Sequence, residues 1–293
     1  MPELPEVETV RLGLQPAMEG RKFLRVEQRR PDLRFPLPER FSERLVGRRL
    51  LSLERRAKYL VGVVEGGDIL AMHLGMTGRF DVTTSKRAGQ PGEFAHAQGG
   101  IPAHDHVVFH MEGGARVTYN DVRRFGFMLL IPGAERETHA LFRGLGVEPL
   151  GPDLTPEYLA LRARGKKADL KAFLLDQRVI AGLGNIYVCE ALFRTRLNPT
   201  KSASVLATKT GLPNAHTQRL VPEIRAILQA ALQAGGSTLR DYRQADGALG
   251  YFQHSFLAYG REGEMCQAPQ CKSLIKRRVQ SGRSTFYCPT CQK

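Results

Sequence analysis

Four of the five cysteines crowd the last 28 residues, in the order Cys266-x4-Cys271-x16-Cys288-x2-Cys291. No other feature narrows the possible folds as much. Two cysteine pairs on either side of a short hairpin bring four thiolates to one tetrahedral ion, and in a chain without export features such pairs are metal ligands sooner than disulfides. With all four positions filled by cysteine the coordination closes, so one Zn2+ here is structural and not catalytic. The first pair is wider than the usual two-residue gap, which the metal tolerates. Lys272, Lys276, Arg277, Arg278 and Arg283 lie between the pairs. A metal-stapled hairpin with these cations is suited to press on a phosphate backbone, and the plainer alternative is a ribbon that caps the fold. Cys189 stands alone among aliphatic residues and reads as an inert buried thiol.

The rest of the chain shares the charge. Its 293 residues carry 43 Lys+Arg against 29 Asp+Glu, a net charge of +14. That excess points to a polyanion, DNA or RNA, as partner; a solubilising surface or an RNA-bound scaffold is the bland alternative. No run of about 18 apolar residues is present, which excludes a membrane-spanning helix. The N-terminus lacks the basic-then-apolar layout of a secretory signal, so a cytoplasmic location is expected. The length suits two domains, or one with an appendage.

Hydrophobic periodicity divides the chain. Val7, Val10 and Leu14 repeat at helical spacing, predicting a helix from Pro2 to about Leu14. From Leu45 to about Ile131 short β-branched and aromatic runs follow (59–64, 68–74, 106–111, 124–131), with a hairpin at Glu112-Gly113-Gly114. Several such strands close together suggest a sandwich or barrel. Residues 83–103 read as a mobile loop. From about Pro152 the pattern turns helical, and residues 235–252 are again rich in glycine.

Residues 168–199 hold two apolar-faced helices joined by a turn with Gly182, Gly184 and Asn185. Asn185 is placed to cap the second helix. Glycines that admit close approach and a helix's positive end together make a seat for phosphate, although plain helix packing explains the turn equally well. The first residues, MPELPEVETV, pose a similar choice: prolines and glutamates suit a helix start with no further role.

MPELPEVET, RRAKYL, HLGMTG, DVRRFG, GLGNIY and the four-cysteine tail with GRSTFYCPTC occur in this order. Together they resemble the bacterial formamidopyrimidine-DNA glycosylases, over nearly the whole chain. That resemblance implies an α+β multidomain protein. An N-terminal β-sandwich with flanking helices would occupy 1–135, a helical domain with a helix-two-turn-helix and a lesion-covering loop 152–260, and a C-terminal zinc-finger β-hairpin 261–293. It implies a monomer that binds double-stranded DNA containing oxidised purines or abasic sites in a basic cleft. Its reaction would be base excision followed by β,δ-elimination.

The resemblance also implies roles for residues. Met1 is removed, so Pro2 becomes a terminal secondary amine that forms a Schiff base. Glu3 acts as general acid–base, Lys58 faces the reactive sugar and its flanking phosphate, and Arg283 completes the catalytic set from the hairpin. Glu6 supports the lesion pocket or merely the helix dipole. Met76, Arg123 and Phe125 fill the gap left by an extruded nucleotide; read as residues alone, Met76 and Phe125 suit a core. His73, Lys171, Asn185 and Tyr259 contact phosphates. The chain departs from the family pattern at the wide Cys266–Cys271 pair and the long 83–103 loop. An endonuclease VIII-like enzyme for oxidised pyrimidines and a non-catalytic zinc-dependent nucleic-acid-binding protein remain as alternatives.

Overall fold

The computed structural model describes residues 2–84, 101–237 and 250–293. Two compact units emerge, one of Met1–Arg143 with Leu232–Gln253, the other of Gly144–Ala231 with His254–Lys293.

The first unit begins with helix α1 (Leu4–Met18). Glu3 and Glu6 cap it reciprocally, and Pro5 occupies a first-turn position where a missing N–H costs nothing. Its apolar stripe, Val7, Val10, Leu14 and Met18, is fully buried, at roughly 1.5–3 kcal/mol for each large side chain removed from water. Among the described residues, this unit holds the α-helices and strands α1, β1 (Phe23–Gln28), α2 (Phe41–Leu45), β2 (Leu50–Arg56), β3 (Tyr59–Val64), β4 (Asp68–His73), β5 (Arg79–Thr83), β6 (Asp105–Met111), β7 (Arg116–Asn120) and β8 (Phe127–Pro132). The strands form two four-stranded antiparallel sheets, in the orders β1-β6-β7-β5 and β2-β3-β4-β8. Phe23, Phe41, Leu50, Leu60, Leu70, Phe80, Phe109 and Tyr119 fill the core. This is the expected sandwich.

The sequence windows at 59–64, 68–74 and 106–111 match β3, β4 and β6 closely. The window at 124–131 needs correction: β8 starts at Phe127, because Arg124 sits in the left-handed region at φ +54° and turns the chain. The short strand β1 and helix α2 escaped the sequence reading. The expectations for 83–103 and 237–252 fall mostly outside the described residues.

The second unit holds α3 (Pro156–Ala163), α4 (Leu170–Leu175), α5 (Asn185–Arg194) and α6 (Ala215–Gln233), whose last turn runs into the first unit, followed by the hairpin β9 (Lys276–Gln280) and β10 (Arg283–Tyr287). Thr155 and Asp169 cap α3 and α4 through the N–H groups of Tyr158 and Ala172, at 3.1 and 2.7 Å. Gln177 latches the turn between α4 and α5, accepting from Gly182 N–H at 2.8 Å and donating to the Leu183 carbonyl at 2.9 Å. The N-cap of α5 is Gly184 and not Asn185 as expected; Asn185 is the first helical residue, and its side chain is engaged elsewhere. Between β9 and β10, Ser281 and Gly282 both have positive φ, at 48° and 71°, which matches the twist of a tight two-residue hairpin.

Candidate functional site

Pro2 is buried immediately ahead of α1, followed by two buried carboxylates, Glu3 and Glu6. One oxygen of Glu6 accepts the Glu3 N–H at 2.9 Å. The other accepts the N–H and the hydroxyl of Ser237, at 2.8 and 3.0 Å. The head of α1 is therefore fixed to the start of the 237–252 segment, a link that sequence reasoning did not find. Glu8 instead takes part in the scaffold with Arg11 and Arg55.

Lys58 follows Ala57 in the two-residue turn between β2 and β3, and Ala57 has φ +53°. Lys58 is buried. His73 ends β4, paired in register with Tyr59 and Phe127, and its ring stacks on Phe127 with centroids 5.2 Å apart. Burial, then the positive charges of Lys58 and Arg34, lower its pKa to about 4 against an opposing pull from Asp121. At neutral pH the ring is uncharged. Its Nδ1 accepts the Gly75 N–H at 3.1 Å, which leaves the proton on Nε2.

Two adjoining loops carry the next three residues. Met76 follows β4, while Arg123 and Phe125 lie between β7 and β8; all three are exposed. The Arg123 guanidinium lies 4.6 Å from the Phe125 ring centroid. A flexible thioether, an aromatic ring and a cation stacked on that ring share one edge of the first unit, so Met76 and Phe125 are not core residues.

In the second unit, Lys171 and Asn185 converge on one acceptor. Lys171 Nζ donates to the Ser284 carbonyl at 2.9 Å and to Thr285 Oγ1 at 2.7 Å; Asn185 Nδ2 donates to the same Ser284 carbonyl at 2.9 Å. Lys171 is almost fully buried. Its ammonium clips β10 to α4. Arg283, next to Ser284, is exposed at the tip of the hairpin. Tyr259 is half-buried, its ring 5.0 Å from that of Phe286 in an edge-on contact.

Glu190, in the middle of α5, is fully buried and was missed in the sequence. Its carboxylate accepts the N–H groups of Leu257, Ala258 and Tyr259, at 2.9, 2.9 and 2.7 Å. The signal was there: a lone acid inside the apolar run IYVCEALFR has to find buried donors.

The sulfurs of Cys266, Cys271, Cys288 and Cys291 all lie within 4.8 Å of one another. The Cys266–Cys291 and Cys271–Cys288 separations are 3.8 and 3.7 Å. A tetrahedral ion with Zn–S bonds of about 2.3 Å spaces its ligands at about 3.8 Å, so the set fits Zn2+ despite the wide first pair. Cys189, buried within α5, stands apart from it. Among the described residues no helix is long and apolar enough to cross a membrane.

Comparison with known proteins covers both units. Residues 1–128 match the model of the formamidopyrimidine-DNA glycosylase N-terminal domain, and 145–243 that of the H2TH domain of the same enzymes. Residues 269–293 match a zinc finger found in FPG and IleRS, a span that starts after Cys266; the geometry adds the fourth ligand. The chain is 55% identical over 293 residues to a formamidopyrimidine-DNA glycosylase from Azorhizobium caulinodans, with 100% of both covered. It is 58% identical to one from Methylobacterium sp., covering 100% of this chain and 99% of that one. The crystal structure of MutM (Fpg) from Thermus thermophilus superposes with a TM-score of 0.80 at 38% identity, over 99% of this chain and 98% of that one. Lactococcus lactis Fpg in complex with abasic-site DNA superposes at 0.83 with 31% identity, over 100% of both chains. Three family models matched in chain order, together with full-length relatives 55% and 58% identical, show that the chain belongs to the formamidopyrimidine-DNA glycosylase family.

Proposed function

We propose that the protein excises oxidised purines, 8-oxoguanine and formamidopyrimidines, from double-stranded DNA and then cleaves the strand at the abasic site. The observation that carries this reading is the arrangement at the head of α1, where a proline one residue from the terminus is followed by two buried, mutually bonded glutamates.

Removal of Met1 makes Pro2 a secondary amine. An α-amino group titrates at roughly pH 8, so an appreciable share is unprotonated in the cell, whereas a lysine would need strong perturbation to match it. The Pro2 nitrogen lone pair attacks C1′ of the deoxyribose. The bond from C1′ to the base breaks, and its electron pair leaves with the base, which takes up a proton. Glu3 protonates the ring oxygen as the sugar opens, and the result is an iminium ion. The iminium acidifies the C2′ proton; its loss expels the 3′ phosphate, and a second elimination expels the 5′ phosphate. Water then adds to the iminium carbon, the C–N bond breaks, and Pro2 is freed as the amine. Lys58, buried beside the β2–β3 turn, faces the sugar and its flanking phosphate.

The damaged nucleotide must leave the stack, and Met76, Arg123 and Phe125 fill the space. The sulfur and the ring wedge between base pairs, and the guanidinium offers donors to the orphaned cytosine. His73 contributes a neutral N–H to a phosphate. In the second unit Asn185, Tyr259 and Arg283 hold phosphates, and Lys171 fixes the hairpin that presents Arg283. Zn2+ supplies the staple that keeps that hairpin folded. We take the protein to be a monomer, acting on DNA in a bacterial cytoplasm.

Borohydride reduction in the presence of abasic-site DNA tests the chemistry. The expected result is a covalent protein–DNA adduct that disappears when Met1 is retained. No adduct from the processed protein would leave only a binding role. Comparison of 8-oxoguanine opposite cytosine with thymine glycol tests the substrate; faster release of the pyrimidine would point to the endonuclease VIII-like activity.

A further inference from the structure

The loops that carry Met76, Arg123 and Phe125 are joined by a carboxylate and a hydroxyl to which the chemistry above gives no part. Asp121 begins the segment DVRRFG and is fully buried. One of its oxygens accepts the Thr77 hydroxyl. The other accepts the Gly126 N–H at 2.9 Å and the Tyr119 hydroxyl at 3.1 Å. Thr77 in turn accepts the Arg123 N–H at 3.1 Å. A single path of hydrogen bonds thus runs from the backbone of Arg123, through Thr77 beside Met76, to Asp121, and back to the backbone of Gly126 beside Phe125.

Every donor on that path is neutral, and among the described residues no lysine or arginine is bonded to the carboxylate. An ion pair tolerates sliding; hydrogen bonds to a buried carboxylate are directional and lose strength quickly with misalignment. The backbone of Asp121 is held as well. Its N–H donates to the His104 carbonyl at 3.1 Å, and its carbonyl accepts from His106 Nε2 at 2.8 Å. The two loops also interlock without side chains: a methyl added at Gly75 would lie 2.3 Å from the Gly126 nitrogen and from the Phe125 carbonyl carbon.

We propose that Asp121 and Thr77 are a positioning pair, which assembles Met76, Arg123 and Phe125 into one rigid wedge before DNA is met. The inference rests on the wedge reading given above. Wedge residues fixed in advance do not have to be ordered at the moment a base pair is opened, so the binding energy goes into unstacking.

Thr77→Val removes the hydroxyl at nearly constant shape, and Thr77→Ser restores it. Single-turnover excision of 8-oxoguanine from a duplex requires the wedge. Borohydride trapping on an abasic site in a single-stranded oligonucleotide does not. Thr77→Val is expected to slow the duplex reaction by roughly ten- to a hundredfold, the loss of one hydrogen bond to a charged group expressed as a rate, and to leave single-strand trapping unchanged. Thr77→Ser should recover the duplex rate. In the DNA-free protein, amide hydrogen exchange at Arg123 and Gly126 should accelerate in Thr77→Val and in Asp121→Asn, whose amide cannot accept from both partners. Wild-type duplex rates with unchanged exchange in Thr77→Val would overturn the proposal, as would an equal loss on both substrates that serine fails to rescue. Absence of trapping by the wild-type protein would instead overturn the glycosylase reading and leave the exchange experiment to decide on the pair.

Discussion

Glu6 receives both the backbone N–H and the hydroxyl of Ser237 on a single carboxylate oxygen, at 2.8 and 3.0 Å. Its second oxygen receives Glu3 N–H, so a side chain with one acceptor cannot serve both ends. Glu6→Gln should destabilise the protein by about 1–3 kcal/mol, the cost of stranding a buried donor. If the segment that starts at Ser237 covers the lesion, as the resemblance implies, base excision should slow more than trapping at a preformed abasic site, which has no base to cover. Urea denaturation and single-turnover assays measure the two effects.

His73 gives a pH dependence. Its folded pKa of about 4 lies below the unfolded value near 6.5, so the unfolded chain binds the extra proton between those limits. Stability therefore rises with pH from about 4 to about 6.5 and is flat in this contribution outside that window. The full shift is worth about 3 kcal/mol at most, at about 1.4 kcal/mol per unit. Denaturation midpoints across this range should show the slope in the wild type and a shallower one in His73→Asn.

The same neutrality separates the two residues proposed to contact phosphate, His73 and Arg283. Because His73 carries no charge at pH 7, His73→Gln should weaken DNA binding without changing its salt dependence. Arg283→Ala should weaken binding and reduce the slope of log K against log salt by about one. Fluorescence titrations of a lesion-bearing duplex at several salt concentrations distinguish the two.

Glu190 accepts three backbone N–H groups from residues 257–259, which precede Cys266, the first of the four metal-ligating cysteines. Glu190→Gln turns an NH2 group toward some of these donors. A loss on the order of 3 kcal/mol is expected, with faster release of zinc to a chelator, read by thermal unfolding and a colorimetric zinc assay.

Metal removal should act on the hairpin that presents Arg283 and spare the chemistry at Pro2. Cys266→Ser, at the outer edge of the wide pair, should lower zinc content as Cys288→Ser does, measured by elemental analysis. Both should lose damaged-duplex binding, while borohydride trapping on an abasic site in a single-stranded oligonucleotide persists.

The sandwich was legible because β3, β4 and β6 are short apolar runs bounded by glycine and charge, and periodicity reads such runs directly. The start of β8 was not, since an apolar count cannot see that Arg124 adopts a left-handed turn. Strand β1 was hidden because Arg25, Glu27 and Gln28 dilute Phe23 and Val26 to a mixed pattern. Zinc ligation was readable from spacing alone. Lys171 entered only through the family resemblance, and its burial against β10 depends on a partner 113 residues away in sequence. Asp121 and Thr77 stand 44 residues apart, and nothing local marks two polar residues as partners across a sheet edge.

The close approach of Gly75 and Gly126 sets a limit for protein engineering. A methyl at Gly126 would fall 2.5 Å from the His73 carbonyl oxygen and collide with the Tyr119 hydroxyl. On the wedge reading, libraries built at this edge can diversify 76, 123 and 125, while the two glycines beneath them must be held constant.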